Sequence, residues 1–99
     1  CEYMACGRTV IASDMTGHGD VITAGNALPL TFYRPYHYRH HAEGVWFEAS
    51  VDEIVEKLEY AYQHRPMLRL KGLKAVEDMA RLTWRNAAQQ FHELGRRYV

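Results

Sequence analysis

The apolar and polar positions of the chain change their period about halfway along. Residues 2–33 carry short apolar runs separated by turn residues, whereas the segment from residue 50 onward repeats apolar positions at helical spacing. Short runs between turns are typical of strands, and apolar residues three and four positions apart indicate amphipathic helices. The pattern therefore predicts a mixed α/β chain with its strands first and three helices last.

The first third predicts a helix end, a cap and two strands. Residues 2–6 (EYMAC) read as the end of a helix, and Gly7 follows as its cap because glycine adopts the left-handed conformation at little cost. Residues 9–13 (TVIAS) are short, β-branched and uncharged, which predicts a strand buried on both faces of a parallel sheet. Residues 27–33 (ALPLTFY) predict a second strand, with Pro29 at its start or on an edge.

The middle of the chain, residues 34–48, has no clear period and predicts a long surface loop. His37, His40 and His41 have a spacing that can bind zinc, but adjacent loop histidines rarely face one ion, so we expect no metal site. Residues 14–20 (DMTGHGD) predict a turn, and His18 within it is interpreted as an exposed residue rather than a ligand contact. The aromatic residues are interpreted as apolar anchors that pack the loop, rather than as sugar-stacking groups: Phe32, Tyr33, Tyr36, Tyr38, Trp46 and Phe47.

The last half predicts three capped helices. Ser50 and Glu53 form a capping box, in which Ser50 caps the helix and Glu53 reaches back to it. Pro66 separates the first helix from the second, and Thr83 is the N-cap of the third. The basic residues of 69–74 are interpreted as a solvated face. The stripes predicted to be buried are Val51, Ile54, Val55, Leu58 and Tyr62, then Leu70, Leu73, Val76 and Ala80, then Trp84, Ala87, Ala88, Phe91 and Leu94.

Composition narrows the function classes. The 99 residues suffice for one domain at most, and 12 Lys and Arg balance 12 Asp and Glu. This balance removes the electrostatic argument for a protein that binds nucleic acid or an anionic membrane. The two cysteines, Cys1 and Cys6, form no disulfide framework, and no run approaches the roughly 20 apolar residues of a membrane span. We therefore expect a cytoplasmic protein, with peripheral attachment to a membrane left open.

One stretch carries a family resemblance. Residues 2–13 (EYMACGRTVIAS) resemble the end of the Glu-x7-Glu region of retaining glycosyltransferases of the GT-B fold, the group 1 or family 4 set. In that family the run is typically Glu-Ala-Met-Ala-Cys-Gly-x-Pro-Val-Ile-Ala-Ser. Tyr3 and Thr9 depart from it. The segments TGHGDVITAGNALPL, VWFEASVDEIVEKLEYAYQHRP and LTWRNAAQQF also resemble the family in the family's order.

The resemblance implies an α/β fold, namely the C-terminal portion of a Rossmann-like (GT-B) donor-binding domain, with short parallel strands followed by three helices over residues 1–99. Glu2 matches the second Glu of the pair, which in the family accepts hydrogen bonds from the ribose hydroxyls of a nucleotide-sugar donor. A carboxylate is suited to this role because it can accept from both hydroxyls of a vicinal diol. Neither a metal, a cofactor nor a catalytic residue of this chain is implied. The implied partners are the donor and a carbohydrate, lipid or protein acceptor.

The resemblance also implies that the chain is a piece of a longer transferase, because the first Glu of the pair would precede residue 1. Alone, the piece is expected to be inactive, and to self-associate through an exposed edge of the strand at 9–13. An alternative from another class stays open. The chain is then a small helical module without enzymatic activity, whose apolar stripes bind another protein.

Overall fold

The computed structural model describes residues 1–36 and 44–99 and shows a mixed α/β chain. The predicted α/β class is thus confirmed. Two short parallel strands, a small antiparallel sheet and three long helices make up the described part of the chain. The elements are α1 (Glu2–Ala5), β1 (Ile11–Ser13), a 3-10 helix (Thr16–Asp20), β2 (Leu28–Leu30), β3 (Tyr33–Tyr36), β4 (Trp46–Ala49), α2 (Val51–Gln63), α3 (Arg65–Met79) and α4 (Trp84–Arg97).

The first helix ends at a glycine, as predicted. Gly7 has a φ of +77°, in the left-handed region. Its amide donates to the carbonyl of Met4 at 2.9 Å, and the Arg8 amide donates to the carbonyl of Tyr3 at 3.3 Å. This pair of bonds is the Schellman pattern, which satisfies the last carbonyls of a helix. The chain thereby reverses from α1 toward β1.

Strands β1 and β2 pair in parallel, with Ile11 opposite Leu28 and Ser13 opposite Leu30. The sequence predicted that the first strand is buried on both faces, and this is wrong: all three of its residues are half-buried. Among the described residues β1 pairs with β2 alone, so one edge of the strand lacks the neighbour that a fully buried strand would have. The core beneath this pair consists of Met4, Ile22, Ala27, Ala75 and Met79.

The predicted loop at 34–48 is wrong at both ends. Strands β3 and β4 pair antiparallel there, with Tyr33 opposite Ala49 and Tyr36 opposite Trp46. Pro35 is tolerated because both strands of a two-stranded ribbon are edges. Residues 37–43, with His37, His40 and His41, lie outside the described part of the chain.

The helix caps follow the sequence, but one glycine has a role that the sequence did not indicate. Ser50 accepts a hydrogen bond from the Glu53 amide at 3.4 Å, and Thr83 accepts one from the Asn86 amide at 3.1 Å. Gly72, in the middle of α3, packs directly on the backbone of Gly7, and a methyl group at Gly72 would overlap the Gly7 carbonyl oxygen. Glycine at position 72 therefore permits the close approach of α1 and α3.

The helix faces predicted to be buried are wrong for most of their residues. Helix α3 turns Gly72, Ala75 and Met79 to the core, whereas Leu70 and Leu73 are both exposed. Gly72 faces inward because only a glycine there allows the close approach between α3 and α1. In α2 only Ile54 of the predicted stripe is half-buried, and α4 is exposed along its whole length. The exposed members of the stripes include Val51, Val55, Leu58, Tyr62, Val76, Trp84, Phe91 and Leu94.

The exposed area of the chain is large for its mass. The accessible surface is 8365 Å², against roughly 5800 Å² expected for a folded monomer of 11.5 kDa. The radius of gyration is 17.1 Å, where about 13 Å is typical of a domain of this length. The difference in area reflects helices that present apolar stripes to solvent.

Candidate functional site

Glu2, the residue that the sequence placed in a ligand site, is the first residue of α1 and its side chain is fully exposed. A hydrogen bond from its own backbone amide lowers the pKa of Glu2, so the carboxylate is ionised at neutral pH. Within the described part of the chain, no other candidate residue forms a hydrogen bond or ion pair with it.

A group of polar side chains lies at the carboxyl ends of the two parallel strands. Strand β1 ends at Ser13 and is followed by Asp14, and the nearby 3-10 helix and β3 add His18 and Tyr33. We call Ser13, Asp14, His18 and Tyr33 the strand-end cluster. Ligands of open α/β sheets bind outside the carboxyl ends of the strands, so this edge is the place to look for a site.

The Ser13 hydroxyl and the His18 imidazole form one half of the cluster. Ser13 Oγ lies 2.9 Å from His18 Nδ1. His18 is exposed to solvent and Ser13 is half-buried. The turn that brings His18 back to the strand begins at Thr16, whose φ of +53° is uncommon for a residue with a side chain. His18 was interpreted as an exposed turn residue. It is exposed, but it also has a defined partner.

Tyr33 and Asp14 form the other half. The Tyr33 hydroxyl accepts a hydrogen bond from the Asp14 amide at 2.9 Å, and lies 2.8 Å from Asp14 Oδ1 and close to the carbonyl of Leu30. One hydroxyl proton can serve only one of these two acceptors at a time. Burial first, and then the hydrogen bond to Asp14, raise the pKa of Tyr33. Tyr33 thus joins the end of β1 to the end of β2.

Glu53 is a buried carboxylate with a structural role. It accepts hydrogen bonds from the Thr31 amide at 2.9 and 3.1 Å and from the Phe32 amide at 3.0 Å. Burial raises its pKa, but these amides and the Thr31 hydroxyl outweigh burial, and the net pKa is lowered. The sequence predicted that Glu53 reaches back to Ser50. It binds the bend after β2 instead, because the Ser50 amide already donates to the Phe32 carbonyl at 3.0 Å.

Asn26 is also buried and satisfied within the fold. Its Oδ1 accepts from the Thr23 amide at 2.9 Å, and its Nδ2 donates to the Val21 carbonyl at 2.9 Å and to Asp78 Oδ2 at 2.8 Å. A hydrogen bond from Lys74, followed by the one from Asn26, lowers the pKa of Asp78. This network fastens the segment before β2 to α3. It uses all the amide's polar atoms, so Asn26 is not a ligand group.

The remaining candidates are only partly described. Tyr36, Trp46, Phe47 and Phe32 are exposed, so their interpretation as buried anchors is wrong, and Tyr33 is half-buried. Tyr38 lies outside the described part of the chain. Lys71, predicted to lie on a solvated face, is half-buried and its Nζ donates to the Ala24 carbonyl. The described residues contain no set of three metal-ligating side chains, and the histidines of 37–43 lie outside them.

The strand-end cluster was missed by the sequence interpretation, which read residues 14–20 as turn chemistry. One signal was available, because Ser13 ends a predicted parallel strand and Asp14 directly follows it. The contribution of Tyr33 had no such signal, since it depends on the register of β2 and on the bend after it.

Within the described part of the chain, no helix has the length and apolar character that crossing a membrane requires. Comparison of the chain with protein-family models, with curated proteins and with solved structures found no match. The interpretation of the site therefore depends on its own geometry and chemistry.

Proposed function

We propose that the chain belongs to the donor-binding domain of a retaining glycosyltransferase of the GT-B fold, which transfers a sugar from a nucleotide-sugar donor to an acceptor. The observation that carries the proposal is the unit formed by α1, the Gly7 cap and β1, which has Glu2 at its first helical position. A helix that leads through a tight cap into a parallel strand is the building unit of Rossmann-like sheets.

Glu2 has the properties that ribose recognition requires. Its carboxylate is exposed and ionised, and it accepts no hydrogen bond from another side chain in the described part of the chain. Such a group can accept from both hydroxyls of a ribose. In this proposal Glu2 contributes donor affinity. The groups that stabilise the leaving diphosphate belong to other parts of the enzyme.

The strand-end cluster adds support from a second location. Its hydroxyl, imidazole and carboxylate groups lie at the end of the parallel strands where nucleotides bind in open α/β folds. His18 is exposed there and Ser13 is half-buried, and the two can exchange their mutual hydrogen bond for one to a ligand. The cluster would orient the donor, which is how positioning lowers a reaction barrier.

The test is donor binding by the natural protein that carries these residues. Replacing a charged acceptor should weaken donor binding by about 10- to 150-fold. Calorimetric titration of Glu2→Gln with the nucleotide sugar that the wild type binds should show this loss. Glu93→Gln, an exposed change on α4, is the matched control and should bind normally. Unchanged affinity in Glu2→Gln would remove ribose recognition from Glu2.

A second candidate is a helical interaction module, and the exposed face of α4 favours it. Trp84 is 93% exposed and Phe91 is 80% exposed, although both belong to the apolar stripe of one helix. Large aromatic side chains at this level of exposure are typical of surfaces that bind other proteins. Two measurements distinguish the module from the transferase. The module should bind no nucleotide sugar, and Glu2→Gln should not change its binding to another protein.

A further inference from the structure

Three arginines surround an open cavity of about 300 Å³ beside the amino end of β1. Arg8 lies in the connection between α1 and β1, and Arg65 and Arg69 lie in the first two turns of α3. Tyr3 and Thr9 contribute to the same wall. We call Arg8, Arg65 and Arg69 the arginine cluster.

The position of the cluster is fixed by contacts between α3 and the start of the chain. Arg65 and Arg69 are four residues apart and so lie on one side of the helix. The Thr9 hydroxyl donates to the Leu68 carbonyl at 2.5 Å, which holds the connection after α1 against α3. One turn further along the helix, the backbone of Gly7 packs directly on Gly72. Arg8, between Gly7 and Thr9, is therefore held opposite the two arginines of α3.

Among the described residues, the cluster carries positive charge that no neighbouring carboxylate neutralises. None of the described residues that line the cavity is acidic. In residues 1–36 and 44–99 the ion pairs involve Arg34, Lys74 and the amino terminus, and none involves the cluster. Arg65 is instead held by an aromatic contact, with its guanidinium carbon 5.0 Å from the centre of the Tyr62 ring. The whole chain has a formal net charge of zero, so this excess of positive charge is local.

We propose that the arginine cluster binds a phosphoryl group, either on a small soluble anion or on a lipid headgroup. Guanidinium groups bind phosphate oxygens with paired hydrogen bonds, and three of them around one cavity can satisfy several oxygens at once. The aromatic contact of Arg65 orders that side chain before the anion arrives, which reduces the entropy lost on binding.

This site is separate from the strand-end cluster. Thr9 precedes β1 and Asp14 follows it, so the two sites flank opposite ends of one strand. Five residues of extended chain span roughly 16 Å. The inference therefore does not depend on the proposed transferase, and it can fail or succeed alone.

The experiment is a binding titration of the natural protein with two probes. Inorganic pyrophosphate, followed by calorimetry, tests for a soluble anion. Vesicles of phosphatidylcholine with and without phosphatidylglycerol, followed by co-sedimentation, test for a lipid headgroup. The variants are Arg8→Gln and the double change Arg65→Gln with Arg69→Gln. Arg85→Gln, an exposed arginine of α4, is the control for lost charge.

We expect about tenfold weaker binding of one probe for each arginine removed, and normal binding by Arg85→Gln. If the arginine variants bind pyrophosphate more weakly, the ligand is a soluble anion. If they bind only the anionic vesicles more weakly, the ligand is a lipid headgroup. Far-ultraviolet circular dichroism of each variant checks that it is folded, and Arg8→Gln carries the test if the double variant is not. Absence of binding to both probes, or an equal loss in Arg85→Gln, overturns the proposal.

Discussion

At the scale of single residues, the described part of the chain contains buried polar groups that support the fold and exposed ones that are available to ligands. Glu53 and Asn26 are both buried, and backbone or side-chain partners satisfy them. Glu2 and His18 are exposed, and their polar atoms can still bind a ligand. Mutation of the buried residues should therefore change the stability of the protein, whereas mutation of the exposed ones should change ligand binding.

Glu53→Gln should destabilise the natural protein by about 2 kcal/mol, because a charged acceptor of backbone amides is replaced by a neutral one. The folded pKa of Glu53 lies below its ordinary value of 4.5. Its contribution is therefore fully present above about pH 4.5 and is lost as the pH falls through the folded pKa. Denaturant unfolding at several pH values should show a difference in the free energy of unfolding between wild type and variant, and this difference should narrow in acid. Asp52→Asn is the neighbouring control. An equally large loss of stability in Asp52→Asn would contradict the stabilising role assigned to Glu53.

Gly72→Ala should destabilise the protein by more than about 2 kcal/mol, because the added methyl group overlaps the Gly7 carbonyl. The usual effect of this change in a helix is the opposite, a gain of up to about 1 kcal/mol. Gly95→Ala, in α4, has open space at its Cβ and serves as the control that should show the gain. Denaturant unfolding of both variants measures their free energies of unfolding relative to the wild type. A stabilising Gly72→Ala would mean that α1 and α3 do not approach closely.

At the scale of elements, the sequence correctly predicted the structural features that depend on residues adjacent in the chain. The caps at Gly7, Ser50 and Thr83 and the two parallel strands were all predicted, because each depends on a few adjacent residues. The inward face of α3 was predicted wrongly, since that face is chosen by the distant backbone of Gly7. The strand-end cluster was missed for a similar reason.

Ala75→Leu tests which face of α3 is buried. Ala75 has no exposed area, so a larger side chain there should overpack the core and cost about 1–3 kcal/mol. Glu77→Ala, on the exposed side of the same helix, should change the free energy of unfolding by less than about 0.5 kcal/mol. Urea unfolding of the two variants measures the difference. Equal and small effects would show that the inward face of α3 lies elsewhere.

At the scale of the whole molecule, the chain exposes about 2500 Å² more than expected for a folded monomer of its mass. A standard protein interface buries roughly 800 Å² on each partner. The apolar stripes of α2 and α4 contribute to this excess. Among the described residues, one edge of β1 also has no partner strand. Such a surface favours association with further protein, as does an unpaired strand edge.

The 99-residue chain produced alone should therefore self-associate at low micromolar concentration, as sedimentation equilibrium would measure. Trp84→Ser combined with Phe91→Ser should weaken this association, because it removes the two most exposed aromatic residues of α4. Arg85→Gln, on the same helix, should not. A monomer that unfolds cooperatively would show that the exposed stripes need no partner.

The most direct test of the central claim is a donor screen with the natural protein. A panel of nucleotide sugars is offered together with candidate acceptors, and nuclear magnetic resonance follows both donor consumption and the anomeric configuration of the product. The account predicts that one donor is consumed and that its sugar keeps its anomeric configuration. A product of inverted configuration, or a protein that binds no member of the panel, would contradict the assignment as a retaining glycosyltransferase.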